Sequence, residues 1–224
     1  KSMLAFAQDN AERLPWQLTA SGVRNHLDNS VTASTQVSGR SYSEEINTGA
    51  GGDNLVQNHP YTDSAAGVYG LIAMKAELVT PKILHSPCDF VRAAANEKAQ
   101  KNWNSYDTKA KGVSAELGRG ASYVLVRGAD TQRPTSVYAL TRNWSADNLN
   151  TGKWLGSKSD KGNARTMSGL KASQGQVVTM DGSAKWATNA DFGAGGSLTK
   201  AAQTDTGGVA EGRTSLNLIR GPGL

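Results

Sequence analysis

Gln176-Val177-Val178-Thr179-Met180-Asp181-Gly182-Ser183-Ala184-Lys185-Trp186 reads as two antiparallel strands joined by a tight turn. A type I′ turn needs positive φ at both central residues. Asp tolerates that and Gly adopts it freely, so the pair predicts a two-residue loop at Asp181-Gly182. Such a loop sets Met180 opposite Ser183, Thr179 opposite Ala184, Val178 opposite Lys185 and Val177 opposite Trp186. Side chains alternate along a strand, so Val177, Thr179, Ala184 and Trp186 share one face, predicted to be buried with an aromatic beside a β-branched partner.

Upstream of the hairpin, Ala121-Ser-Tyr-Val-Leu-Val-Arg127 and Ser136-Val-Tyr-Ala-Leu-Thr-Arg142 read as two more strands. In the first, Tyr123 and Leu125 lie on one face and Val124 and Val126 on the other, so both faces are expected to be covered. The first third of the chain is helical in pattern. Residues 2 to 13 place Met3, Phe6 and Ala7 on one face, with Ser2 to cap and Pro15 to stop. Residues 64 to 79 carry a stripe of Val68, Leu71, Ile72, Leu78 and Val79, capped by Asp63 or Ser64 and ended by Thr80-Pro81. A third helix is expected from Asp89 to Lys98. Between Trp16 and Tyr61 the chain reads as a long irregular connection, with one short helix near Ser21 to Asn29 and one ribbon near Ser34 to Ser43. Helices followed by strands predict an α+β fold, an N-terminal helix packed on an antiparallel sheet with long irregular loops. The domain is expected to span residues 1 to 188. Residues 189 to 224 hold eight Gly and few apolar anchors, and read as an extension, either a loose tail or an edge ribbon.

The 24 Lys and Arg against 19 Asp and Glu give a net charge of +5, and the basic residues are spread out. The densest excess, Lys153 to Arg165, sits among Gly and Ser and lacks interleaved aromatics, so it predicts a solvated loop and no nucleic-acid partner. Weak attraction to anionic headgroups or polysaccharides is compatible with this charge. A single cysteine excludes an intramolecular disulfide. No apolar run reaches the roughly 18 residues of a membrane span.

Catalysis needs converging groups. His26, His59 and His85 stand apart, and His85 with Cys88 supplies only two zinc ligands of the three or four required. Cys88 has no adjacent base, and no Gly-x-Ser-x-Gly motif occurs. Gly49-Ala-Gly-Gly-Asp53 and Gly193-Ala-Gly-Gly196 lack the strand, helix and Lys of a phosphate loop and read as turns. The chain is therefore expected not to be an enzyme. Trp144 and Trp154, in a polar stretch with Asn143, Asn148 and Asn150, suggest an alternative: an extracellular carbohydrate-binding or adhesive module.

Three segments together carry a family resemblance. Met3-Leu-Ala-Phe-Ala-Gln-Asp-Asn-Ala-Glu-Arg-Leu-Pro-Trp16 is similar to the end of the first helix in type IV pilin-like and type II secretion pseudopilin-like proteins. Ile83-Leu-His-Ser-Pro-Cys-Asp89 resembles the Cys-Pro-Ser-Asp signature of their H-X9-DG subgroup, in a different order, and the hairpin resembles that subgroup's C-terminal strand pair. Lys171 stands where the subgroup's His would be. The resemblance covers about residues 2 to 188. It implies a structural filament subunit in the cell envelope or an extracellular filament, preceded by a basic leader and an apolar helix of about 20 residues. That helix would anchor it in the inner membrane, and its partners would be copies of itself and the secretion or pilus assembly machinery. The residues so implicated are structural: Phe6 with Met3 and Leu14 docking the helix, Cys88 and Asp89 in the central motif, and Asp181, Gly182 and Trp186 in the hairpin. No cofactor is assigned. Calcium, held in a C-terminal loop by some major pseudopilins, would draw on Asp181, Asn189, Asp191 and Asp205, but a calcium ion takes six to eight oxygens.

Overall fold

Tyr123-Val-Leu-Val126 and Val137-Tyr-Ala-Leu-Thr141 are apolar on both faces, and they form the middle of a five-stranded sheet covered on both sides. The computed structural model describes residues 1–18, 20–26, 36–37, 40–41, 65–90, 92, 120–156, 165–202 and 216–220. Among these, the helices are α1 (Ser2–Asp9), α2 (Ala20–Asn25), α3 (Ala65–Gly70), α4 (Ile72–Leu78) and α5 (Ser197–Ala202). The strands are β1 (Gln36–Val37), β2 (Arg40–Ser41), β3 (Tyr123–Val126), β4 (Val137–Thr141), β5 (Gln174–Thr179), β6 (Ala184–Thr188) and β7 (Leu218–Ile219). β1 and β2 pair as a small separate ribbon, and the main sheet has the order β6-β5-β4-β3-β7 with every neighbour antiparallel. The architecture is α+β.

Alternation along the strands feeds two cores. Leu125, Ala139 and Ile219 join Met3, Phe6, Ala7, Leu14, Trp16, Val68, Leu71 and Met74 in a helical layer. Val124, Leu140, Val177, Ala187 and Leu218 face the other way, onto Trp144, Trp154, Phe192 and Leu198. The exit from α1 is tied to the end of β3 by two side-chain bonds. Trp16 Nε1 donates to the Arg127 carbonyl at 3.1 Å, and Gln17 Nε2 to that of Ala129 at 2.9 Å.

Several expectations are corrected. α1 ends at Asp9 rather than residue 13, because Ala11 and Glu12 take φ of +54° and +62° and the Glu12 N–H turns back to the Ala7 carbonyl at 2.8 Å. Ser2 is inside the helix, and the start has no side-chain cap. The predicted helix over 64 to 79 is two helices, broken at Leu71 with ψ of 142°, beside the helix-weakening Gly70. The break shifts the phase: Met74 turns inward while Ile72 and Val79 are exposed. Asp63, Ser64, His59, Asp205 and most of the third predicted helix lie outside the described residues; Phe90 and Arg92 are helical.

The described parts of 189 to 224 do not form an extension apart from the domain. Phe192, Leu198, Ala202, Leu216 and Leu218 close the second core, and β7 is an edge strand of the main sheet. Most of the few apolar anchors of this Gly-rich segment serve that second core, and Ile219 of β7 faces the helical layer instead.

Candidate functional site

The hairpin is offset by one residue from its predicted register. Val178 pairs with Ala184, Val177 with Lys185 and Gln176 with Trp186. The Gly182 N–H bonds the Thr179 carbonyl at 2.9 Å, and the Thr179 N–H bonds that of Ser183 at 3.0 Å. The loop therefore has three residues, Met180, Asp181 and Gly182, and only Gly182 has positive φ, at +82°. This is the turn-plus-bulge solution. A one-residue slip exchanges the faces, so Trp186, predicted buried, is 61% exposed, and Ala187 is buried in its stead.

Two features select this register. The Asp181 carboxylate accepts from Thr179 Oγ1 at 2.6 Å and from the Ser183 N–H at 2.8 Å, and these bonds hold its pKa down to about 2. On the buried face, the Trp154 ring lies against the Gly175-Ala187 pair, where a Cβ on Gly175 would stand 2.2 Å from the ring. An indole in place of Ala187 has no room there.

Trp154 and Trp144 are buried, 2% and 0% exposed, and meet edge to face with centroids 5.0 Å apart. Phe192 completes the group at 4.8 Å from Trp144 and 5.6 Å from Trp154. A sugar-stacking platform needs an open ring face, so these two tryptophans do not form one. The polar residues around them are used internally: Asn143 Nδ2 donates to the carbonyls of Leu155 and Gln174, and Asn148 Oδ1 accepts from the Asn150 N–H.

The central motif is placed by a buried ion pair. Asp89, at the end of Ser86-Pro-Cys-Asp89, takes Arg142 of the β4 exit side-on, with Nε to Oδ2 and Nη2 to Oδ1 both at 2.6 Å. Ser122 Oγ donates to Oδ2 at 2.9 Å, and Arg142 Nη2 also donates to the Thr166 carbonyl at 2.7 Å. Cys88 is half-buried, and its carbonyl accepts from the Gly169 N–H at 2.9 Å. The turn at 86–89 is thus clamped between β4 and the 166–170 segment. Lys171, in the position of the subgroup's His, is exposed.

A second charged cluster joins distant segments. Arg165 Nη2 and Arg220 Nε both lie 2.9 Å from Asp147 Oδ1. Arg165 Nη1 donates to the Ser145 carbonyl, and Arg220 Nη2 to those of Trp144 and Ala146. Burial, reinforced by Arg165, pushes the Arg220 pKa down to about 10 against the pull of Asp147. Asp89 belongs to the central motif, but neither pairing has a local sequence signal, since only the fold joins residues 89 with 142 or 147 with 220.

Of the calcium donors, Asp181, Asn189 and Asp191 lie among the described residues, and each accepts internal hydrogen bonds. Asn189 Oδ1 accepts from the Trp154 N–H at 2.6 Å, and Asp191 Oδ2 from the Thr188 N–H at 2.7 Å. Among the described residues, no group of three or more His, Cys, Asp or Glu converges on a metal-sized space. His26 pairs with Asn10 Oδ1 at 2.7 Å and packs on Phe6, and His85 Nε2 meets the Asp89 carbonyl oxygen at 3.1 Å. No described helix is long and apolar enough to cross a membrane. No protein-family model, curated protein or solved structure matches the chain.

Proposed function

We propose that this chain is the globular head of a filament subunit of the type IV pilus-like or type II secretion pseudopilus-like kind, with a mechanical role. The observation that carries the reading is the seating of α1. Met3, Phe6 and Ala7 are buried in one core with Leu125, Ala139 and Ile219 of the sheet. The chain leaving α1 is pinned to the end of β3 by Trp16 and Gln17. Force delivered along such a helix passes into the sheet as a unit, which is what a subunit held by its first helix requires. In this reading α1 is the end of a longer apolar helix that packs with its copies in the filament centre. That helix tethers the subunit to the inner membrane before assembly by the secretion or pilus machinery.

The test is the reading frame upstream of Lys1. A basic leader followed by an apolar stretch of about 20 residues is expected. Expressing that longer frame should place the protein in the membrane fraction, and deleting the apolar stretch should release it. A start codon directly before Lys1, with no apolar segment, overturns the proposal.

A further inference from the structure

We propose that the outer edge of β6 receives an extended acidic peptide segment as an added antiparallel strand, with Lys185 and Trp186 selecting its side chains. The main sheet ends at β6. In an antiparallel ladder, hydrogen-bonded and non-bonded residue pairs alternate. The Thr179 N–H bonds the Ser183 carbonyl, so Val177 with Lys185 and Gly175 with Ala187 are the next bonded pairs. Gln176 has the matching phase, since its N–H and carbonyl both meet Thr141 Oγ1 of β4 on the other side. Ala184, Trp186 and Thr188 therefore turn their N–H and carbonyl groups away from the sheet.

This edge is closed at its ends and open in its middle. Asp191 Oδ2 accepts from the Thr188 N–H at 2.7 Å, and Asp181 Oδ1 from the Ser183 N–H at 2.8 Å. Between them, the N–H and carbonyl groups of Ala184 and Trp186 have no partner among the described residues. The opposite edge, β7, is covered. There the Leu218 N–H bonds the Asp147 carbonyl, and the carbonyls of Leu216 and Arg220 accept from Leu149 and Ala65. At β6 the open backbone coincides with an exposed indole, which shares its face with Ala184 and the half-buried Gln176 and Val178.

Charge decides the occupant. Two copies of β6 can use both open residues in one two-fold register, Ala184 bonded to Trp186. That register sets Lys185 directly against Lys185, with Cα atoms about 4.5 Å apart, and like charges so placed destabilise the pairing. Centring on Trp186 needs the Thr188 N–H that Asp191 holds, and centring on Ala184 needs Gly182 of the turn. Lys185 is exposed and in no ion pair among the described residues. Asp181, whose charge it feels, is already bonded to Thr179 and Ser183. A lysine on an edge guards against pairing with another copy. A guard alone has no use for an exposed indole on the next residue. The strand that fits carries an acidic residue opposite Lys185 and apolar residues opposite Ala184 and Trp186, joined to them by main-chain bonds. The inference is independent of the filament reading.

The experiment titrates the full chain with the acetylated and amidated peptide Ser-Thr-Val-Glu-Val-Thr-Ser, followed by backbone NMR. Saturable shifts centred on residues 184 to 186 are expected. The same peptide with Lys for Glu should bind about threefold more weakly, the size of a cross-strand charge pair. Lys185→Glu should invert that preference, which a merely structural lysine would not do. Methylating the two Val amide nitrogens removes the donors aimed at Ala184 and Trp186 and should abolish binding. Methylating the Glu nitrogen, which points away in an antiparallel pairing, should leave it. Trp186→Ala should weaken binding about fivefold. Ala184→Pro deletes an outward N–H that no internal bond uses, a position at which edge strands accept proline, and should keep the fold and lose the peptide. Should that variant fail to fold, the inversion by Lys185→Glu carries the test. Absence of shifts on β6 at millimolar peptide overturns the proposal, as do equal affinities for the two peptides or loss of binding on methylating the Glu nitrogen. A dimer in sedimentation that Ala184→Pro dissociates gives the edge to a second copy and overturns it as well.

Discussion

Asp89 and Arg142 meet side-on through two 2.6 Å contacts, with neither side chain reaching solvent. One comes from a turn ahead of the sheet and the other from the exit of β4, so the pair fastens the 86–89 turn to the sheet. Removing one member of a buried pair leaves the other charge without compensation, at a cost of about 3 to 5 kcal/mol. Asp89→Asn and Arg142→Met should each lower the unfolding free energy by about that amount. The double variant should lose much less than the sum, because nothing charged is then stranded. A urea-unfolding double-mutant cycle reads this, and strict additivity would show that the two side chains do not sense each other.

The register of the hairpin gives opposite expectations for two neighbouring positions. With Trp186 on the open face, Trp186→Ala should change stability by no more than about 0.5 kcal/mol, the usual range for surface sites. Gly175→Ala puts a methyl into the Trp154 ring. It should therefore destabilise by about 1 to 3 kcal/mol, as overpacking does. The register predicted from Asp-Gly alone reverses the first of these, since it buries Trp186. Thermal unfolding of the two variants decides between them.

The strands over 123–126, 137–141 and 174–188 were legible because β-branched and aromatic residues alternate there, and the helical face of Met3, Phe6 and Ala7 because its spacing is local. The turn was legible as a turn but not as to its length. Asp-Gly serves both the two-residue loop and the three-residue loop with a bulge, and the choice is made by Asp181 bonding Thr179 and by Trp154 filling the floor beneath Gly175. Trp154 approaches that floor from a segment that reads as a polar loop. Neither its burial nor the Trp144-Trp154-Phe192 group has a local pattern, since the three rings come from residues 144, 154 and 192. The same holds for Arg220, which reaches its partners across more than seventy residues of chain.

Phe6 links the helical layer to the ring of His26 at a centroid distance of 4.8 Å, and it is buried in the core shared with the sheet. Phe6→Ala should destabilise the domain by about 3 to 5 kcal/mol. Phe6→Leu fills more of the space and should lose less. If α1 were loosely held, both variants would unfold at the same denaturant concentration as the parent, and chemical denaturation distinguishes these outcomes directly.

Asp181 is the titratable group through which acid should act on the hairpin. Its carboxyl is held at about 2, below the ordinary 3.8, by the Thr179 hydroxyl first and then by the Ser183 amide. Above pH 3.8 the carboxylate is ionised in both the folded and the unfolded chain, so its stabilising contribution is complete. Between pH 3.8 and about 2 the unfolded chain takes up a proton that the folded one refuses, and stability falls as the pH falls. Below about 2 both forms are protonated and the contribution is gone. Asp181→Asn keeps an oxygen acceptor but carries no charge, so the variant should be less stable than the parent near neutrality, and the gap should close across this acid window. Melting temperatures of the two proteins from about pH 6 down to about pH 2 measure that gap. Curves that stay parallel throughout would mean that the carboxyl titrates alike in both states, and that the turn's hydrogen bonds do not depend on its ionisation.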